Sequence, residues 1–129
     1  MKIVSAEYVV SVPPGKYWLG DPCYSVPESL WSDLLASCMF FQHPIGEVTT
    51  EAGETHKVLA FRTKFGDGVY EDQDGHEFPV DAGLIGLTPV GLSVNQPFGS
   101  MLVEFRWDTS CFEIDGVLHF GDCEINTGD

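Results

Sequence analysis

The sequence predicts an α+β fold: a single antiparallel, β-rich domain over residues 1–129, built as a curved sheet or partly open barrel with one helix. Three observations predict it. Most apolar segments are short and rich in β-branched or aromatic residues, as strands are. Asp115-Gly116 separates two such segments and is typical of a two-residue hairpin turn. Only residues 26–38 show the apolar periodicity of a helix.

Two strands are expected at the start of the chain. Residues 3–11 carry enough β-branched and aromatic side chains for a first strand, which the proline-glycine sequence at 13–15 ends as a turn. Residues 16–19 form a short second strand, and Gly-Asp-Pro at 20–22 breaks it.

The helix is predicted from a capping box and an apolar stripe. Ser25 is the expected N-cap, and the side chain of Glu28 would bond back to it. Pro27 falls in the first turn, where its missing N–H costs nothing. Apolar side chains then recur on one face as far as Cys38, with serine and aspartate on the other. We therefore expect an amphipathic helix near residues 26–38 that faces the core.

Further strands are expected along the rest of the chain. Residues 84–92 are apolar but interrupted by glycine and proline, which predicts a buried irregular segment or short strand. The tail at 126–129 is expected to fray. The other predicted strands are residues 46–50 within a loop, 56–63, 68–71, 76–80, 101–107, 111–114, 117–120 and 123–125.

Negative charge is concentrated in the second half of the chain. The formal net charge is −14, and residues 65–129 contribute −12, with Arg106 as their one arginine or lysine. Such a surface repels nucleic acid and anionic membranes. It attracts a basic protein surface or a metal ion, although it also serves simply to keep a protein in solution.

The sequence predicts a cytoplasmic protein. No apolar run approaches the roughly 20 residues that a membrane-spanning helix needs. Glu7 interrupts the apolar stretch that a signal peptide would require. The four cysteines, at positions 23, 38, 111 and 123, show no Cys-x-x-Cys spacing, so they are expected to be free thiols that fill the core.

The most specific segment is residues 66–86, which carries six carboxylates and several glycines around a turn expected at 72–75. It is predicted to form a hairpin with Asp74-Gly75 in the turn. Aromatic residues near such loops are candidates to line a small-molecule pocket, namely Tyr17, Trp18, Tyr24, Tyr70 and Trp107. The residues predicted to bind a partner or ligand are Tyr24, Asp67, Tyr70, Asp72, Asp74 and Asp81.

A divalent metal site in this segment is an alternative. If Gly75 holds position six of an EF-hand loop, Asp72, Asp74 and Asp81 hold positions three, five and twelve. Tyr70 then stands at position one, and no helices flank the loop, so the EF-hand pattern fails. A calcium or magnesium site of another kind on these three aspartates stays open, as does a polar turn whose aspartates bond their own backbone. No cofactor is expected.

Cys23 is the candidate nucleophile. It lies two residues before the predicted N-cap, where backbone N–H groups and the helix dipole would favour a thiolate. A catalytic cysteine also needs a histidine base and an orienting acid, and the sequence singles out none of its four histidines. The alternative is a small side chain packed where strand meets helix.

Three motifs carry a resemblance to a known family. They are GDPCY at 20–24, GDGVY at 66–70 and VDAGLIG at 80–86, and they occur with a helix that contains Trp31. Together they resemble a family of small proteins of bacteria and their phages that has no established activity. The resemblance spans residues 15–90 and assigns no functional residue. It implies a small cytoplasmic accessory protein, in the host cytoplasm if it is phage-encoded, that acts by binding.

The sequence supports three hypotheses of function. The leading one is a non-enzymatic acidic protein that binds a basic surface on a host protein through the 67–81 hairpin. The second is a protein that sequesters a nucleotide-like or polar small molecule beside Tyr24 and Tyr70. The third is a cysteine-dependent hydrolase that uses Cys23.

Overall fold

Antiparallel strands make up most of the structure, a computed structural model that describes residues 8–93 and 95–128. This confirms the prediction of a β-rich fold with little helix. The helices are α1 (Pro22–Ser25) and α2 (Glu28–Ser37), and a 3₁₀ turn spans Val90–Leu92. The strands are β1 (Val9–Val12), β2 (Gly15–Gly20), β3 (Ile45–Thr49), β4 (Thr55–Arg62), β5 (Gly68–Glu71), β6 (Glu77–Val80), β7 (Leu84–Pro89), β8 (Met101–Phe105), β9 (Thr109–Ile114), β10 (Val117–Phe120) and β11 (Cys123–Asn126).

The strands form three sheets, none of which closes into a barrel. One has four strands in the order β1-β9-β10-β11, and one has five in the order β3-β4-β7-β2-β8. The hairpin β5-β6 is a separate two-stranded sheet. All of these pairings are antiparallel.

The strands β4 and β7 of the five-stranded sheet are buried on both faces. Side chains alternate across a strand, so β4 sends Leu59 and Phe61 to one face and Val58 and Ala60 to the other. The first face packs with residues of the four-stranded sheet and of the hairpin in the larger core cluster. The second face packs against α2, and Gly46 allows this approach because a Cβ there would lie 2.5 Å from a methyl group of Leu34. The fold is therefore layered as sheet, sheet and helix.

The helix differs from the prediction at its start. Ser25 is not an N-cap but the last residue of α1, a single turn that precedes α2. Its hydroxyl lies 2.7 Å from the hydroxyl of Thr88 in β7, a partner that local sequence cannot reveal. Pro27 occupies the N-cap position of α2 and makes no side-chain capping bond. The predicted capping box is therefore wrong, and α2 runs over Glu28–Ser37, inside the expected range.

The two predicted hairpins are confirmed. Strands β5 and β6 pair around the turn at 72–75, and β9 and β10 pair around Asp115-Gly116. Asp115 has φ 49° and Gly116 has φ 84°, so both turn residues are left-handed, as a type I′ turn requires. The segment 84–92 contains β7, a central strand of the five-stranded sheet.

The C-terminal segment is held in place up to Gly128, contrary to the expectation that it frays. Thr127 is fully buried, and its backbone N–H donates to the carbonyl of Gly116 at 2.8 Å. Its hydroxyl accepts the N–H of Lys64 at 3.0 Å. Asp129 and residues 3–7 of the first predicted strand lie outside the described residues.

None of the helices in the described part of the chain is long and apolar enough to cross a membrane.

Candidate functional site

The β5-β6 hairpin separates the predicted binding residues into two groups. Gly68 pairs with Val80 and Glu71 pairs with Glu77. Asp67 and Asp81 therefore lie at the base of the hairpin, while Asp72 and Asp74 lie at its tip. Tyr70 lies between them, packs against the larger core cluster and donates its hydroxyl to the carbonyl of Gly66 at 2.9 Å. The predicted residues do not form one site.

A buried carboxylate organises the base of the hairpin. Asp21 is completely buried and is the N-cap of α1, where its Oδ1 accepts the N–H of Cys23 at 2.9 Å. Its Oδ2 accepts the N–H of Asp81 at 2.8 Å and of Ala82 at 2.7 Å. These bonds join the GDPCY and VDAGLIG motifs. The sequence pattern predicts Asp21 only as part of the Gly-Asp-Pro break at 20–22 and does not indicate its bonds to Asp81 and Ala82.

The surroundings of Cys23 oppose a thiolate. Burial raises the pKa of its thiol, and the nearby carboxylates of Asp21 and Asp81 add to the effect, bringing the pKa to about 12. This is the reverse of the helix-dipole activation expected from the sequence, because the thiol is partly buried and lies beside Asp21, the N-cap of α1. A thiol whose pKa is raised in this way is protonated at neutral pH, which weighs against a nucleophilic role for Cys23.

Tyr24, next to Cys23 in α1, forms an aromatic pair. Its ring meets that of Phe98 edge-on, with 5.1 Å between the centroids, and Phe98 is 67% exposed. Burial raises the pKa of Tyr24, with contributions from Cys23 and the carboxylates around it. The hydroxyl therefore stays protonated over the physiological range and can donate a hydrogen bond.

At the tip, Asp72 holds the turn together. Its Oδ1 accepts the backbone N–H of Asp74 and of His76, both at 2.9 Å, and Gly75 takes φ 80°. This is the polar turn in which an aspartate bonds its own backbone. Two backbone bonds thus hold the Asp72 carboxylate in the turn, while Asp74 is exposed to solvent.

The tip is fixed to the four-stranded sheet through Gln73. The Gln73 amide donates to the carbonyl of Asp122 at 3.1 Å and accepts the N–H of Glu124 at 2.8 Å. An isolated β-bridge also joins Asp72 to Ile125. The turn at 72–75 therefore keeps a fixed position relative to the β10-β11 turn.

These contacts form one wall of a cleft of about 850 Å³. It lies between the hairpin tip, strand β8 and the β10-β11 turn. Trp107, which is 73% exposed, lies at this cleft beside Arg106, the one lysine or arginine among the described residues that line it. The carboxylates that line it are Asp72, Asp74, Glu104 and Asp122. The apolar side chains that line it are Met101, Val103, Phe105, Phe120 and Cys123.

The cleft combines residues that the sequence did not associate. Asp72, Asp74 and Trp107 were candidates, but Glu104 and Asp122 come from β8 and from the β10-β11 turn and were not. Their only signal in the sequence is the general excess of acid after residue 65. Of the other aromatic candidates, Tyr17 is a core residue.

A three-aspartate metal site does not fit this geometry. Asp81 lies at the opposite end of the hairpin from Asp72 and Asp74. Among the residues that the structure describes, no group of three or more histidine, cysteine, aspartate or glutamate side chains is placed to hold a metal ion.

Comparison with known proteins finds no family model, no curated protein and no solved structure that matches this chain.

Proposed function

We propose that this protein is a non-enzymatic binding protein that takes a basic segment of a partner protein into the acidic cleft. The observation that carries the proposal is the composition of the cleft: four carboxylates and one arginine line an apolar surface, with Trp107 at the edge. Carboxylates and an exposed indole ring both attract lysine and arginine side chains, the ring through cation–π contact. The apolar surface accommodates the aliphatic stems of the same side chains.

The rigidity of the cleft supports a binding role. Gln73 fixes the hairpin tip to the β10-β11 turn, and β8 belongs to the five-stranded sheet. A preformed wall lowers the cost of ordering the protein when a partner binds. The setting we propose is the cytoplasm of a host cell, with the protein encoded by a phage or prophage. The free state of Cys23, Cys38, Cys111 and Cys123 is in keeping with a reducing compartment.

Association kinetics test the proposal. A labelled decapeptide rich in lysine and arginine is mixed with the protein by stopped flow at several salt concentrations. We expect the association rate to fall steeply as salt rises from about 0.05 to 0.3 M, because the attraction is between charges near the surface. The variant Asp74→Lys/Asp122→Lys should slow association further. Asp72 is left unchanged because its carboxylate holds the turn.

A charge-matched control separates the cleft from the overall charge. Asp33→Lys/Glu51→Lys changes the net charge by the same amount on exposed residues of α2 and the β3-β4 turn, at the other end of the five-stranded sheet. It should slow association much less. A salt-independent rate, or equal slowing by both double variants, would contradict the proposal.

A small-molecule binder is the second candidate, and the volume of the cleft favours it. About 850 Å³ lies within the usual size range of ligand pockets. The carboxylates favour a positively charged ligand and disfavour the nucleotide-like anion expected from the sequence, since Arg106 is the one lysine or arginine that the structure describes in the cleft. A thermal-shift panel of polyamines and nucleotides distinguishes these ligands, because a ligand specific for the native state raises the melting temperature.

A further inference from the structure

The two edge strands of the five-stranded sheet, β3 and β8, differ in the contacts on their outer sides. At β3, the hydroxyl of Ser37 in α2 accepts the N–H of Glu47 at 2.8 Å, so the helix occupies one backbone donor of this edge. At the other edge, β8 pairs with β2 on one side. Within residues 8–93 and 95–128, no strand and no backbone bond lies on its outer side.

The outer edge of β8 borders the acidic cleft. Met101, Val103 and Phe105 face the core side and line the cleft, while Leu102 and Glu104 lie on the opposite, exposed face of β8, from which Glu104 also borders the cleft. The strand contains no proline. An uncovered edge of this kind presents a row of backbone N–H and C=O groups to which an extended chain can pair.

Resting on the function proposed above, we propose that the partner binds as an extended basic segment that adds a sixth strand to the five-stranded sheet along β8. Main-chain hydrogen bonds to β8 would supply affinity, and alternate side chains would supply specificity. Side chains on the core side of the added strand reach the carboxylates of Asp74 and Asp122 and the ring of Trp107. Those on the other side lie next to Leu102 and Glu104.

Charge complementarity selects this occupant. On the core side, the described lining of the cleft includes the carboxylates of Asp72, Asp74 and Asp122, so lysine and arginine are favoured on the side of the added strand that faces it. Leu102, which is half exposed, favours an apolar or β-branched neighbour on the other side. The expected partner segment is therefore an extended stretch in which basic and β-branched residues alternate.

N-methylated peptides test the binding mode. The probe is an end-blocked octapeptide that alternates arginine and valine, which keeps its charge when backbone nitrogens are methylated. Successive N–H groups of a strand point to opposite edges, so methylating only the arginines or only the valines removes the donors of one edge. We expect one of these two peptides to bind at least about tenfold more weakly than the parent and the other within about twofold.

Amide hydrogen exchange gives a second readout. Binding should slow exchange at alternate residues of Met101–Phe105, whereas the amides of β3 should keep their rates because β3 lies at the opposite edge of the sheet. If both methylated peptides bind as well as the parent and β8 gains no protection, strand addition is wrong while the acidic cleft stands as the binding site. If the parent peptide does not bind at low salt, both the binding mode and the proposed function are overturned.

Discussion

The carboxylate of Asp21 accepts the backbone N–H of Asp81 at 2.8 Å, across 60 positions of sequence. Asp21 is completely buried and also accepts the N–H groups of Cys23 and Ala82. One side chain therefore fixes both the α1 turn and the base of the β5-β6 hairpin. A buried carboxylate that receives several backbone donors is strongly stabilising, whereas its loss leaves those donors unpaired.

Asp21→Asn should lower the free energy of unfolding by about 2–3 kcal/mol. The amide keeps one oxygen acceptor, but its NH₂ group would face a backbone N–H that the carboxylate now binds. Urea denaturation of the two proteins measures the difference. Asp33→Asn on the exposed face of α2 is the matched control and should change stability by less than about 0.5 kcal/mol. Equal losses of stability in the two variants would show that the backbone bonds of Asp21 do not stabilise the fold.

The cysteine thiols should react slowly in the folded protein. Burial raises the pKa of Cys23 and of Cys111 to about 12, and that of Cys123 to about 11, the last with help from Asp72 and Asp74. Because the thiolate is the reactive form, iodoacetamide at about pH 7.5 should modify the native protein at least about tenfold more slowly than the urea-unfolded protein. Peptide mass spectrometry assigns the sites. Fast modification of Cys23 would revive the hydrolase hypothesis.

The same pKa shifts make the protein sensitive to alkali. An unfolded thiol ionises near its ordinary pKa of 9.0, while the folded thiols of Cys23 and Cys111 stay protonated to about 12. Above pH 9 the unfolded state binds fewer protons than the folded state, so the free energy of unfolding falls with rising pH across this window. Below pH 9 these two thiols are protonated in both the folded and the unfolded state, so they do not change the free energy of unfolding. In the variant Cys23→Ser, the free energy of unfolding should fall less steeply with pH than in the parent protein. Identical slopes in the two proteins would contradict the raised pKa of Cys23.

Gln73→Ala should loosen the wall of the cleft. The variant loses the bonds to the Asp122 carbonyl and the Glu124 N–H, which together hold the hairpin tip. Because Gln73 is exposed, we expect a stability loss of only about 1 kcal/mol. Amide exchange in the turn at 72–75 should quicken, and the basic peptide should bind more weakly. Gln42→Ala, at another exposed glutamine, is the control. Unchanged exchange at the tip would show that other contacts fix the hairpin.

Local sequence predicted the elements whose cause is local. Asp115-Gly116 predicts its hairpin because both residues tolerate left-handed backbone, and they adopt it. The run of four apolar residues in β4, Val58 to Phe61, predicts a strand, and all four are buried because both faces of the sheet are covered there. Ser25 was misassigned because its partner, Thr88, lies 63 positions away. A capping-box pattern indicates only that a local hydrogen bond can form. In the folded protein the Ser25 hydroxyl bonds to Thr88 instead.

The cleft was predicted only in part for the same reason. The hairpin tip is a local feature, and its aspartates were identified from their spacing. Glu104 and Asp122 join them because β8 is an edge strand and because Gln73 brings the tip to the β10-β11 turn. The order of strands in a sheet depends on contacts between distant segments, which periodicity and turn residues do not encode.

After α2, the chain passes through three consecutive left-handed residues that are not glycine. Met39, Phe40 and Phe41 have φ values of 53°, 57° and 61°. Each such residue costs about 1–2 kcal/mol, because Cβ approaches the following carbonyl. Phe41 is buried in the helix-facing core, and Arg62 donates to the Phe40 carbonyl at 2.8 Å, so these contacts hold the turn against its strain.

Phe40→Asn should therefore stabilise the protein by about 0.5–1 kcal/mol, since asparagine tolerates this backbone conformation. Phe40 is 64% exposed, so little apolar burial is lost. Phe65 is the matched control because it is 62% exposed and does not have a positive φ. Phe65→Asn should not raise the melting temperature, while Phe40→Asn should, as measured by calorimetry. If both substitutions change the melting temperature equally, relief of backbone strain is not the cause.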